Sequence, residues 1–82
     1  MDVLSTAERA ADVRAYAQDG RAEQLRKRYD GPRTAAARRL GMDPITLFRY
    51  EKGRSAPVGE RLRIYHEYLQ ELAAREAREL AA

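Results

Sequence analysis

Little in this chain can do covalent chemistry, and much of it can hold a polyanion. His66 is the only histidine and stands among Tyr65, Glu67 and Tyr68 in a helical stretch, where a lone imidazole reads as a packing or surface residue. Ser5 and Ser55 lack His–Asp partners, and no glycine-rich phosphate loop occurs. Glu71, Arg75 and Glu79 alternate in sign at i, i+4 spacing, which supports a helix and is not a carboxylate pair for acid–base work. The chain has no cysteine, so disulfides and thiolate metal sites are excluded. No catalytic residue, metal, cofactor or small-molecule ligand is expected, and the protein is not expected to be an enzyme. The charge is more informative. Residues 21–54 carry ten Lys/Arg against four acids, a net of +6, between ends at −2 (1–20) and −1 (55–82). A basic middle between mildly acidic ends is the footprint of a polyanion-binding surface.

Helices must position these cations. Glycine and proline divide the 82 residues into helical segments, and no stretch alternates Val, Ile and Thr as a strand requires. The first helix runs from about Ser5, where Ser5-Thr6-Ala7-Glu8 fits a capping box, to Asp19 before Gly20. Its apolar face is mostly alanine with Leu4, Val13 and Tyr16, so it is expected to bury little. A second helix spans about 21–29, stopped by Asp30-Gly31-Pro32. Two short helices follow at 33–40 and 44–52, and a long one runs from 57–59 to about Leu80. The expected fold is all-α, a compact five-helix bundle with a long C-terminal helix. No run approaches the roughly 18–20 apolar residues that span a bilayer, and the start lacks a signal-peptide pattern. A cytoplasmic protein without a membrane role is expected.

Residues 33–53 satisfy the demands of two short helices crossing at a steep angle. Ala37 is small where the second helix passes closest, and Gly41 tolerates a positive φ in the turn. Met42 plugs the turn from below. Asp43 can cap the next helix, and Pro44 suits its first position because no partner is lost there. Leu47 and Tyr50 face inward toward Ala36 and Leu40.

With these features the sequence resembles the phage repressor and Cro-like (Xre-type) helix-turn-helix family, whose fold is that of the lambda repressor. Glu51-Lys52-Gly53 followed by Pro57, and Leu25-Arg26 seven residues before the motif, extend the likeness over about 21–70. Where that family often has Gln at the start of each motif helix, this chain has Arg33 and Pro44, and Pro44 has no donor with which to read a base. The resemblance implies a structural ion pair between Arg26 and Glu51, fixing the angle of the reading helix.

The implied partner is double-stranded DNA, and the implied function a sequence-specific transcriptional regulator, a repressor. The helix at 44–52 would enter the major groove. Candidate base contacts are Ile45, Thr46 and Arg49. Arg33, Lys52 and Arg54 are candidate phosphate contacts, with Arg38, Arg39 and Arg28 secondary. The chain divides into an extra helix (1–20), a DNA-binding core (21–56) and a C-terminal helix (57–82) of one domain. In the last of these, Val58, Leu62, Tyr65, Leu69 and Leu72 recur every three or four residues, with Ile64 and Tyr68 on an adjoining strip. More apolar surface stands there than so small a core can cover. A homodimer is therefore expected, joined through Leu62, Tyr65, Tyr68, Leu69 and Leu72. Two other functions remain open: an antitoxin or recombination accessory factor with a protein partner, and a helical adaptor that does not bind DNA.

Overall fold

A computed structural model describes residues 5–82. These form five helices and no strand: α1 (Thr6–Gln18), α2 (Arg21–Tyr29), α3 (Arg33–Leu40), α4 (Pro44–Glu51) and α5 (Gly59–Ala81). The all-α expectation holds. Leu4, assigned to the apolar face of the first helix, lies outside the described residues.

Local chemistry sets the helix ends. At the start of α1 the Glu8 N–H donates to Ser5 Oγ at 3.1 Å, while the Ser5 N–H donates to the Glu8 carboxylate at 3.3 Å. Two amides that a helix start leaves unpaired are thereby satisfied. Asp43 caps α4 and Pro44 opens it. The second motif helix ends at Glu51, one residue earlier than expected, with Lys52 as its cap.

Leu25, Ala36, Ala37, Leu47 and Leu69 are no more than 2% exposed and form the centre of the core. Helix α1 lies along α5, α2 packs on both and on α3, and α3 and α4 pack on each other. Only Val13 of α1 is fully buried, as its alanine-rich face implied. Even so, α1 is firmly seated, because Ala10 and Ala17 are only partly exposed and let its backbone approach closely. Asp12 Oδ2 also sits 2.9 Å from His66 Nε2 on α5, an imidazole 1% exposed.

This seating of α1 corrects the expected dimer face. Leu62, Tyr65, Tyr68, Leu69 and Leu72 are at most 9% exposed within a single chain, all in one cluster with Val13, Ala22 and Leu25. Helices α1 and α2 occupy the place assigned to a second copy; of the adjoining strip Tyr68 is buried as well, while Ile64 stays partly exposed. Val58, assigned to the same seam, precedes the helix as its N-cap and is 77% exposed.

A residue at a dimer seam and a residue in a core respond differently to truncation. Leu69→Ala is expected to destabilise the chain by about 2–5 kcal/mol in urea unfolding, independently of protein concentration. Leu80→Ala, at a side chain 76% exposed, should change stability by less than about 0.5 kcal/mol. A Leu69→Ala loss that shrinks on dilution would restore the seam.

Candidate nucleic-acid interface

The turn between α3 and α4 is built by hydrogen bonds. Gly41 takes φ 70°, a left-handed conformation costly for any other residue type except asparagine or aspartate, and the Met42 N–H then reaches the Ala37 carbonyl at 3.0 Å. Met42 is buried beneath the turn, and Ala36 and Ala37 are fully enclosed where the helices meet. The Asp43 carboxylate accepts the Thr46 N–H at 2.9 Å and the Thr46 hydroxyl at 2.8 Å. These two bonds, the backbone one foremost, hold the Asp43 carboxyl below its ordinary range.

Two buried faces fix the orientation of α4. Leu47 and Tyr50 point into the core, and the Tyr50 ring meets Tyr65 of α5 at 5.3 Å between centroids. At its last turn Glu51, 2% exposed, receives Arg26 Nε at 2.5 Å and Arg26 Nη2 at 3.3 Å, a forked contact with a guanidinium that is 3% exposed. Arg26 Nη1 also donates to the Gly31 carbonyl at 2.7 Å, tying down the segment before α3. Arg33 Nε, at the first residue of α3, donates at 3.2 Å to Glu51 Oε1, the oxygen that also receives Arg26 Nη2. The hydroxyl of nearby Tyr65 is enclosed; burial first, and then the Glu51 charge, push its pKa far up, so it stays neutral.

The sequence-predicted contact residues fall into three groups. Ile45 (62% exposed) and Arg49 face outward on α4, and Arg49 has no ion pair among the described residues. Thr46 is half-buried with its hydroxyl proton committed to Asp43, so it retains only acceptor capacity. Arg33, Lys52 and Arg54 are brought together: their charged groups lie 4.9, 5.9 and 5.4 Å from the centroid of the Phe48 ring. Arg33, Pro44, Ile45 and Phe48 line one shallow cleft with Thr34. The three secondary candidates diverge. Arg38 is exposed and has no ion pair among the described residues. Arg39 pairs with Asp30, whose other oxygen accepts the Tyr68 hydroxyl at 2.9 Å. Arg28 reaches back to Glu79 at 3.2 Å and Glu76 at 3.6 Å on α5.

One organising residue, Glu23, is absent from the sequence-predicted set, and the role of a second, Phe48, is open there. Glu23 on α2 receives Lys52 at 3.0 Å, Lys27 at 3.3 Å and Arg33 at 3.4 Å. Its hydrogen bonds from Lys52 and then Lys27 lower its pKa from 4.5 to about 2. The i, i+4 spacing of Glu23 and Lys27 was visible; the contacts from α3 and α4 required the fold. The sequence leaves Phe48, at the side of the second motif helix, equally open to packing against a neighbouring helix and to contact with DNA or a partner; in the structure it is half-buried with three cations against its ring. Among the described residues no group of His, Cys, Asp or Glu is arranged to hold a metal ion, and no helix is long and apolar enough to cross a membrane.

A protein-family model described as helix-turn-helix matches residues 23–76, about two-thirds of the chain, which takes in α3, α4 and most of α5 and leaves α1 outside. The Xre-type resemblance is borne out by this match. No curated protein and no solved structure matches the chain.

The ion-pair network makes two predictions. Glu51→Ala strands the Arg26 guanidinium in the core and should cost about 3–5 kcal/mol. In a double-mutant cycle with Arg26→Ala, strict additivity would mean that the two are not coupled. Glu23 has a depressed folded-state pKa, so its contribution is complete above the unfolded value of 4.5 and disappears as pH falls toward 2. Stability should therefore drop through that window in the wild type and drop less in Glu23→Gln, as followed by circular dichroism. Identical acid profiles would remove Glu23 from the network.

Proposed function

We infer the function from one premise: the chain belongs to the helix-turn-helix family of DNA-binding regulators. In our reading it is a sequence-specific transcriptional repressor, acting as one domain in the cytoplasm, that lays α4 in the major groove. The observation that carries this reading is the outward face of α4. An isoleucine 62% exposed stands one turn from an arginine that has no ion pair among the described residues, while Leu47 and Tyr50 of the same helix are buried. Exposed isoleucine gains nothing from water, but a thymine methyl gives it an apolar partner. Arg49 can donate two bonds to guanine O6 and N7, and Thr46 can accept one from an exocyclic amine.

Arg33, Lys52 and Arg54 supply the main backbone contacts, and Arg38 adds one. Arg33 and Lys52 hold carboxylates, as Arg28 and Arg39 do, and must share or release them, but they stand with Arg54 at the Phe48 ring, whereas Arg28 and Arg39 do not and contribute less. The expected homodimer enters this reading only through surface outside the five enclosed side chains of α5. The last turns of that helix, with Leu80 76% exposed, remain accessible.

The test is selection of duplexes from a random pool, followed by titration of the preferred site. Affinity should fall with salt at a log–log slope of about −4, from four or five neutralised phosphates. Arg49→Ala should cost about 1–3 kcal/mol and relax preference at one base pair. Arg54→Ala should weaken all sequences alike and lower the slope by about one. Wild-type affinity in Arg49→Ala for the selected site would remove Arg49 as the reader.

A further inference from the structure

We propose that Phe48 is the positioning residue for the DNA-backbone grip, its ring gathering Arg33, Lys52 and Arg54 into one cationic cluster. The inference rests on the DNA-binding reading above and names what organises that site. The three cations come from three places in the chain: the first residue of α3, the cap of α4 and the loop beyond it. Like charges so placed repel one another. The negative face of an aromatic ring is one of the few uncharged surfaces that attracts cations, and an attraction of this kind holds each within about 6 Å of its centroid. All three meet that distance.

The ring does not matter equally to the three. Arg33 is also held by Glu51 and Glu23, and Lys52 by Glu23. Arg54 has no ion pair and no side-chain hydrogen bond among the described residues, so the Phe48 ring is the contact that places its guanidinium. A carboxylate there would place it equally well but would cancel its charge before a phosphate arrived. The ring orients the cation and leaves its charge and its donors available. Phe48 therefore acts through Arg54 first and needs no base contact of its own.

The experiment compares Phe48→Leu, which keeps apolar bulk but lacks the ring, with Phe48→Tyr, which keeps the ring. Phe48→Leu should bind every duplex about three- to tenfold more weakly near 0.1 M salt and lower the salt slope by about one. Phe48→Tyr should bind as the wild type does. Combined with Arg54→Ala, Phe48→Leu should add little, because both remove the same contact. In the free chain, ring-current shifts of the Arg54 side-chain protons should vanish in Phe48→Leu and persist in Phe48→Tyr, a readout available even where the leucine variant is less stable. The proposal is overturned by wild-type binding in Phe48→Leu, by losses that multiply in the double variant, or by a loss confined to one base pair. A wild-type chain that binds no duplex would overturn the functional reading itself, and the role of Phe48 with it.

Discussion

The forked contact between Arg26 and Glu51 is the constraint on which the rest of the arrangement depends. Two opposite charges, each at most 3% exposed, lose most of their hydration on folding. Their attraction offsets that loss only if the remaining donors and acceptors are also satisfied. The structure meets this condition with Gly31 and Arg33 as the additional partners. Four segments are joined at one point: α2, the turn before α3, the first residue of α3 and the last residue of α4. The long axis of α4 cannot swing relative to α2 without separating charges in a dry environment. Hydrophobic contacts alone tolerate sliding, whereas a hydrogen-bonded fork does not. The pair thus acts on orientation, and Leu47 and Tyr50 supply the burial around it.

The same reasoning changes how the basic middle of the chain is understood. Its net of +6 is real, but much of that charge is already engaged. Asp30 holds Arg39, Glu76 and Glu79 hold Arg28, and Glu23 and Glu51 share Arg33. The solvent-exposed pair of Arg28 with Glu79 contributes little to stability, typically less than about 1 kcal/mol. The effect of all these pairs is on availability: a cation holding a carboxylate must share or release it when it binds a phosphate. Arg38, Arg49 and Arg54 have no such partner among the described residues, and they differ in setting. Arg49 stands on the outer face of α4, Arg38 on α3, and Arg54 against an aromatic ring.

What the sequence revealed depended on how local the cause was. The capping box at Ser5, the left-handed Gly41, the Asp43 cap and the proline at position 44 are each decided within a few residues, and all were legible. Helix ends came out within a residue or two for the same reason. The fate of α5 was not legible, because it depended on what covers a helix at long range. Its two apolar strips were read correctly as apolar, but the covering helix was sought in a second copy. The alanine-rich α1 looked too poor in bulk to serve. Small side chains bury little area but let two backbones approach, and Asp12 reaches His66 across that narrow gap. Glu23 was missed, and Phe48 left undecided, for a related reason. Two of the three partners of Glu23, Arg33 and Lys52, lie outside α2, and two of the three cations at Phe48, Arg33 and Arg54, lie outside α4 and its cap.

The tip of α4 shows how the cap and the grip divide the work between them. Helix N-termini often bind phosphate directly, because their free amides and dipole attract an anion. Here Asp43 occupies that position, taking the Thr46 amide and hydroxyl, and Pro44 removes one amide donor altogether. The tip is satisfied from within, and its exposed carboxylate disfavours a phosphate at the same spot. In the proposed complex the backbone contacts must then be made elsewhere. The opposite end of α4, where Lys52 and Arg54 meet Arg33 over Phe48, offers Arg54 with no carboxylate partner among the described residues, beside two cations that share Glu23. Binding strength at one end leaves the outward residues between, Ile45 and Arg49, to discriminate among bases. A self-capped reading helix and a cation cluster at its far end are thus two consequences of one placement of charge.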